Sequence, residues 1–218
     1  MTYESKQKKT KRVEKIINLL RKYYPKANCE LNFSNPLELL IATILSAQCT
    51  DKRVNQVTPI LFKKYKTAKD YSKAPVEDIE KIIQSTGFYR SKAKRIKTCA
   101  TTLWKKHNGK IPRKMEALLA LSGVGRKTAN VVLGNAFQIS SGVVVDTHVT
   151  RLSNRLNLVQ SKSAEEIEII LNQLIAKKFW IFWSHAIIHH GRRICKARRP
   201  LCEKCFLIDL CPQSGVKK

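Results

Sequence analysis

The chain has 218 residues, 43% of them hydrophobic, enough to bury one substantial core or two small ones. Forty-two Lys and Arg stand against sixteen Asp and Glu, a formal charge of +26 that attracts polyanions, nucleic acid first, although part of it is the ordinary decoration of a solvated surface. No apolar run approaches the ~18 residues of a spanning helix and the N-terminus has no apolar signal core, so a cytosolic protein is expected, nuclear if the source is eukaryotic, with no membrane partner.

Apolar residues recur at helical spacing along almost the whole chain, and strand-like alternation is nearly absent, so the fold class is all-α. Ile16, Leu19, Leu20 and Tyr23 stripe an N-terminal helix. Asn35-Pro36-Leu37-Glu38 supplies an N-cap, a first-turn proline and an acidic first turn for an apolar helix over 36–48. Pro75-Val76-Glu77-Asp78 opens a helix carrying Ile79, Ile82 and Ile83 that stops at Gly87, a residue suited to the left-handed position after a helix. A basic helix over 91–107 ends at Asn108-Gly109. After Pro112 a short helix runs through Leu121, and Gly123-Val124-Gly125 turns the chain into a second helix over 126–136. Residues 142–145 are extended, Asp146 starts a helix, Ser163 with Glu165 and Glu166 starts another, and an aromatic-rich helix over 179–190 leads into a cysteine loop.

That loop holds Cys195, Cys202, Cys205 and Cys211 in the pattern C-x6-C-x2-C-x5-C. Four thiolates from one short loop suit a [4Fe-4S] cube better than zinc, which usually takes two separated knuckles, or than disulfides. Zinc and disulfides remain the alternatives, because spacing alone does not identify a metal. Arg192, Arg193, Lys196, Arg198, Arg199 and Lys204 crowd the same loop, where they offset thiolate charge and can face phosphates. Cys29, Cys49 and Cys99 sit apart among apolar neighbours and read as buried thiols of a reducing compartment. No second metal spacing emerges, so His148, His185, His189 and His190 read as packing and hydrogen-bonding residues.

Two glycines around Val124 let the backbone turn tightly and bring its N–H groups to an anion at the positive end of the following helix. A DNA phosphate fits there without any base being read; the plain alternative is an ordinary helix–helix turn. Lys127, in the first turn beside Arg126, is the candidate nucleophile, since a neutral amine attacks carbon. Asp146 follows an apolar run, either as a helix cap alone or as a carboxylate that takes a proton or steadies a cationic sugar.

The set Leu45-Ser46-Ala47-Gln48-Cys49-Thr50-Asp51, Gly123-Val124-Gly125-Arg126-Lys127-Thr128-Ala129, Val145-Asp146-Thr147-His148 and the four-cysteine loop resembles endonuclease III, a family of DNA-repair glycosylases with AP-lyase activity. The resemblance covers nearly the whole chain. It implies two all-α halves about a DNA-binding cleft, a helix-hairpin-helix glycosylase fold with a six-helix domain over 29–139 and an iron–sulfur cluster domain built from 1–28 and 140–218. It implies catalysis by Lys127 and Asp146 and a [4Fe-4S] cluster on the four cysteines. DNA contacts would come from Gln48, Phe88, Gly123, Val124, Gly125, Arg126 and Thr128. The implied partner is duplex DNA with damaged or abasic nucleotides, bound by a monomer that removes oxidised pyrimidines and cleaves the strand through a lysine Schiff base. Ser122 and Phe88 depart from the family's usual proline and leucine. Phe88 falls where the family places a wedge residue, and core packing is its alternative; Gln48 would fill the space left by a flipped base or only cap a neighbour. A non-catalytic hairpin module with a structural cluster, the adenine-mismatch branch of the superfamily and a small electron carrier are the competing functions.

Overall fold

A computed structural model describes residues 4–216, so the outermost positions of the terminal segments assigned above, 1–3 and 217–218, lie outside the described residues. Eleven α-helices occur among them: α1 Lys6–Tyr23, α2 Pro36–Leu45, α3 Asp51–Lys64, α4 Ala68–Lys73, α5 Val76–Ile83, α6 Tyr89–Lys106, α7 Met115–Leu119, α8 Arg126–Phe137, α9 Thr147–Arg155, α10 Ala164–Leu174 and α11 Trp180–Arg193. No strand occurs among the described residues, and no helix is long and apolar enough to cross a membrane. The chain divides into two compact units, Cys29–Ser141 and the pair of segments Met1–Asn28 and Gly142–Lys218.

The first unit contains α2 to α8, two of which, α4 and α7, are no longer than six residues. Local sequence starts several of these helices. Asn35 accepts from the Glu38 amide, Thr50 from that of Arg53, and Thr67 with Asp70 forms a reciprocal capping box. The central helix α6 packs against α4 and α5, and α2 packs against α8. Leu39, Leu40, Leu45, Leu61, Ile79, Ile83, Ile96 and Leu103 are almost wholly buried, each worth roughly 1.5–3 kcal/mol relative to exposure.

Several boundaries differ from the sequence reading: α7 ends at Leu119 and not Leu121, and α11 runs on to Arg193 and not His190. The apolar helix stops at Leu45 and not at Gln48, because the buried Lys92 ammonium takes the Leu45 carbonyl that the next turn would have used. Cys49 N–H bonds Ser46 O instead, and Gln48 stands on a turn with a left-handed φ of 52°. After α5 a 3-10 turn, Gln84–Thr86, leads to Gly87 at φ 69° and ψ 154°, outside the left-handed helical region expected for it. Phe88 is the left-handed residue, at φ 48° and ψ 28°, and α6 begins directly after it. Helices α3 and α4, between Cys49 and Pro75, were not singled out from sequence.

In the second unit Val13, Ile16, Leu20, Leu152, Ile167, Leu171, Trp183 and Ile187 form the core. Helix α1 packs against α10 and α11, and α11 against α9. Residues 142–145 are extended without a partner strand: Val143 N–H bonds Asn172 Oδ1 at 3.0 Å, and Val144 N–H bonds Ser184 Oγ at 2.9 Å. Side chains thus replace the ladder and set the entry to α9. Gly191 is where α11 crosses α9, and a Cβ there would lie 2.8 Å from His148 Nδ1 and 3.1 Å from an Arg151 guanidinium nitrogen. Gly191→Ala should therefore cost ~1–3 kcal/mol by overpacking, read as a lowered melting temperature of the purified protein.

Candidate DNA-repair site and cysteine centre

The hairpin is built as its glycines require. Gly123 has φ 78°, and a Cβ there would press on the Arg95 stem at 3.2 Å from Cβ and 3.3 Å from Cδ, so both backbone and packing select glycine. Gly125 has ordinary extended backbone, φ −90° and ψ 177°, and a Cβ there would meet nothing within 4 Å. Packing does not select glycine at 125. Gly125 is the N-cap of α8 and supplies no side-chain hydrogen bond to the positive end of that helix. Val124 is only 6% exposed and anchors the turn in the core, and its N–H bonds Leu121 O at 3.2 Å. Lys127 projects into solvent from the first turn of α8, beside exposed Arg126 and half-buried Thr128.

Gln48 is exposed, and Phe88, 68% exposed, is no core residue. Arg90, Lys94 and Arg95 are exposed on the first turns of α6 after Phe88. Arg95, whose stem lies under Gly123, and Lys92, buried beneath the Gln48 turn, were missed from sequence: a lysine-rich helix gives no local sign of which cation is buried.

Asp146 does cap α9, and it does so with one oxygen. Oδ1 accepts from the amides of His148 at 2.8 Å and Val149 at 2.9 Å, so capping leaves the Oδ2 edge of this half-buried carboxylate for other work. Burial holds the neighbouring His148 below the usual imidazole range against the opposing pull of Asp146. As a neutral ring His148 accepts from Arg151 at 3.1 Å.

The four loop cysteines line one cavity together with apolar Leu152, Leu156 and Leu207. All seven cysteines of the chain are free thiols; Cys99 is buried and pushed up to about 12 by that burial, whereas Cys29 and Cys49 are half-buried rather than buried as expected. Burial pushes Cys205 up to about 11 and raises Cys211, with Cys195 and Cys202 adding to both. Such thiols become thiolates when a metal compensates the charge. No three His, Cys, Asp or Glu side chains among the described residues gather closely enough for a single ion. Four thiols lining one cavity are a donor set that fits an iron–sulfur cluster.

Donors are aimed at these sulfurs. Arg155, 8% exposed, reaches Cys195 Sγ at 3.3 Å and also bonds Lys196 O at 2.7 Å and Ala197 O at 2.9 Å. His190 lies between Tyr24 Oη, 3.1 Å from Nδ1, and Cys205 Sγ, 3.3 Å from Nε2, and burial pushes it down to about 4. The neutral ring satisfies both partners when Tyr24 donates to Nδ1 and Nε2–H faces the sulfur. Lys196, Arg198, Arg199 and Lys204 remain solvent-facing.

Gly125→Ala separates hairpin folding from anion binding. Stability should stay within about 1 kcal/mol of the parent, since the backbone there suits alanine. Duplex-DNA affinity should fall roughly tenfold if a phosphate seats on these amides, as fluorescence anisotropy at fixed salt would measure.

Residues 41–177 match the model of the HhH-GPD superfamily of base excision DNA repair proteins, and residues 195–211 match that of the iron–sulfur binding domain of endonuclease III. The chain is 49% identical over 206 residues to endonuclease III of Synechocystis, covering 94% of each protein. It is 44% identical over 204 residues to endonuclease III of Escherichia coli K12, covering 93% of this chain and 95% of that one. A solved structure of a trapped endonuclease III–DNA covalent intermediate superposes with a TM-score of 0.90 at 44% identity over 97% of both chains. With a glycine hairpin that leaves a helix N-terminus open and four cysteines around one cavity, the chain belongs to the endonuclease III family of base-excision DNA repair proteins.

Proposed function

We propose that the protein is a bifunctional DNA glycosylase and AP lyase that removes oxidised pyrimidines from duplex DNA, with Lys127 as nucleophile. The observation that carries this reading is the placement of Lys127: a solvent-exposed amine one residue into a helix whose N-terminus has no side-chain cap, two residues after Gly125. A phosphate held on the hairpin amides brings the adjacent sugar within reach of that amine. Lys127 Nζ then displaces the extruded base from C1′, the sugar ring opens to a Schiff base, and loss of a 2′ proton expels the 3′ phosphate. Asp146 assists through the carboxylate edge that capping leaves over, taking a proton or steadying the cationic sugar. Phe88 wedges into the stack and Gln48 fills the vacated space, both from exposed turns.

Cys195, Cys202, Cys205 and Cys211 hold a [4Fe-4S] cluster in this reading. The cluster supplies a fixed clasp from which Lys196, Arg198, Arg199 and Lys204 face the DNA backbone. The enzyme acts as a monomer in the cytosol, or in the nucleus of a eukaryote.

Borohydride reduction in the presence of abasic-site duplex tests the reaction in one step. The parent should form a covalent protein–DNA adduct and nick the strand, whereas Lys127→Ala should bind the duplex and do neither; an adduct that survives in Lys127→Ala would place the nucleophile elsewhere. Iron and acid-labile sulfide should each come to about four per chain, and stoichiometric zinc from an iron-replete preparation would refute the cluster.

A further inference from the structure

Lys92, on α6, is 4% exposed, and its ammonium donates to two backbone carbonyls, Leu45 O and Thr86 O, each at 2.8 Å. Leu45 is the last residue of α2, and Thr86 closes the 3-10 turn after α5. Gln48 stands three residues beyond the first carbonyl and Phe88 two beyond the second. Both expose their side chains, and both adopt left-handed backbone, φ 52° and φ 48°. Left-handed backbone is uncommon for a residue other than glycine or asparagine and, for a bulky side chain such as Phe88, is held by its surroundings.

An ammonium is a costly thing to bury, and packing alone would be better served at this position by an apolar side chain of the same length. Burial also pushes Lys92 below the usual lysine range, with Cys49 opposing that shift. What the charge contributes is a connection. One nitrogen holds the ends of two chain segments that are 41 residues apart in sequence, Leu45 and Thr86, and the exposed turn that follows each.

We propose that Lys92 is a positioning residue for base extrusion, clamping the Gln48 turn and the Gly87-Phe88 turn in one register so that both side chains engage the duplex together. The inference rests on the reading that places Gln48 and Phe88 at the extruded nucleotide. Neither residue is packed into the core, so their spacing is set through the backbone, and the backbone of both is set at one ammonium.

Lys92→Met keeps an apolar stem and removes the donors; Lys92→Gln keeps a neutral amide donor on a stem one atom shorter. Amide hydrogen exchange at residues 46–49 and 86–89 should accelerate together in Lys92→Met while the rest of α6 keeps its protection. Single-turnover excision of a stably paired lesion by the folded, cluster-loaded variant should slow ~10-fold or more, and borohydride trapping on a preformed abasic site less than ~3-fold, because no base has to be unstacked there. In a Gln48→Ala/Phe88→Ala background the same substitution should add less than ~2-fold, as expected of residues that act through one another. Lys92→Gln should fall between parent and Lys92→Met, and it carries the same comparison if the methionine variant fails to fold.

Equal loss on the two substrates after correction for folded fraction, or an undiminished loss in the double-alanine background, overturns the inference and makes Lys92 a structural residue only. A parent that traps abasic DNA but is indifferent to Gln48→Ala and Phe88→Ala overturns the placement of those residues and the inference with it, while leaving the lyase reaction standing. A parent inactive on both substrates refutes the reaction itself.

Discussion

Cations bonded to backbone carbonyls hold the parts of this chain that have no regular structure. Arg12 reaches Leu156 O at 2.7 Å and Leu210 O at 3.0 Å, Arg151 reaches Gly191 O and Cys195 O, Arg155 reaches Lys196 O and Ala197 O, and Lys92 reaches Leu45 O and Thr86 O. Several of these acceptors lie at helix C-terminal ends, where carbonyls have no partner within the helix. A hydrogen bond to a charged donor contributes about 1.5–3 kcal/mol, roughly twice a neutral one, and leaving the carbonyl buried without it costs as much again. With sixteen acids for forty-two bases, carbonyls are acceptors that such a chain has to spare.

The cysteine loop depends on this most. It contains only short 3-10 turns, and its four cysteines line one cavity. Arg151 and Arg155 tie its first residues to α9, Arg12 ties its end to α1, and His190 adds a sulfur contact from α11. Arginine suits the role better than lysine because its planar fork bonds two carbonyls at once without losing as much freedom per bond. The exposed cations of the loop are a different population, and these are the ones available to a phosphate backbone.

The hairpin meets a different requirement, a tight turn into a helix without a side-chain cap. Gly123 is required by its positive φ and by the Arg95 stem against it, whereas Gly125 is required by neither. With Gly125 as its N-cap, α8 forgoes only about a few tenths of a kcal/mol that a serine or aspartate side chain would add there. Asp146 shows the contrasting case. Its carboxylate caps α9 in full with one oxygen, so the structural and chemical roles weighed for it from sequence do not exclude each other.

Much of what is contiguous in this chain was legible without the structure, the locally capped α3 and α4 excepted. The caps at Asn35, Asp146 and Ser163, the glycine hairpin and the cysteine spacing each act on neighbours within a few residues, so residue type and spacing determine them. The end of α2 was not legible, since the apolar run continues past Leu45 and what stops the helix is Lys92, 47 residues on. Nor was the exposure of Phe88, because an aromatic after a glycine is as often buried as not, and its left-handed backbone is imposed by elements on either side. Which of forty-two cations would be buried, and against what, was decided only by the tertiary structure. Arg12 and Leu210 lie 198 residues apart, and a bond between them exists only after the core has packed the two ends of the chain together.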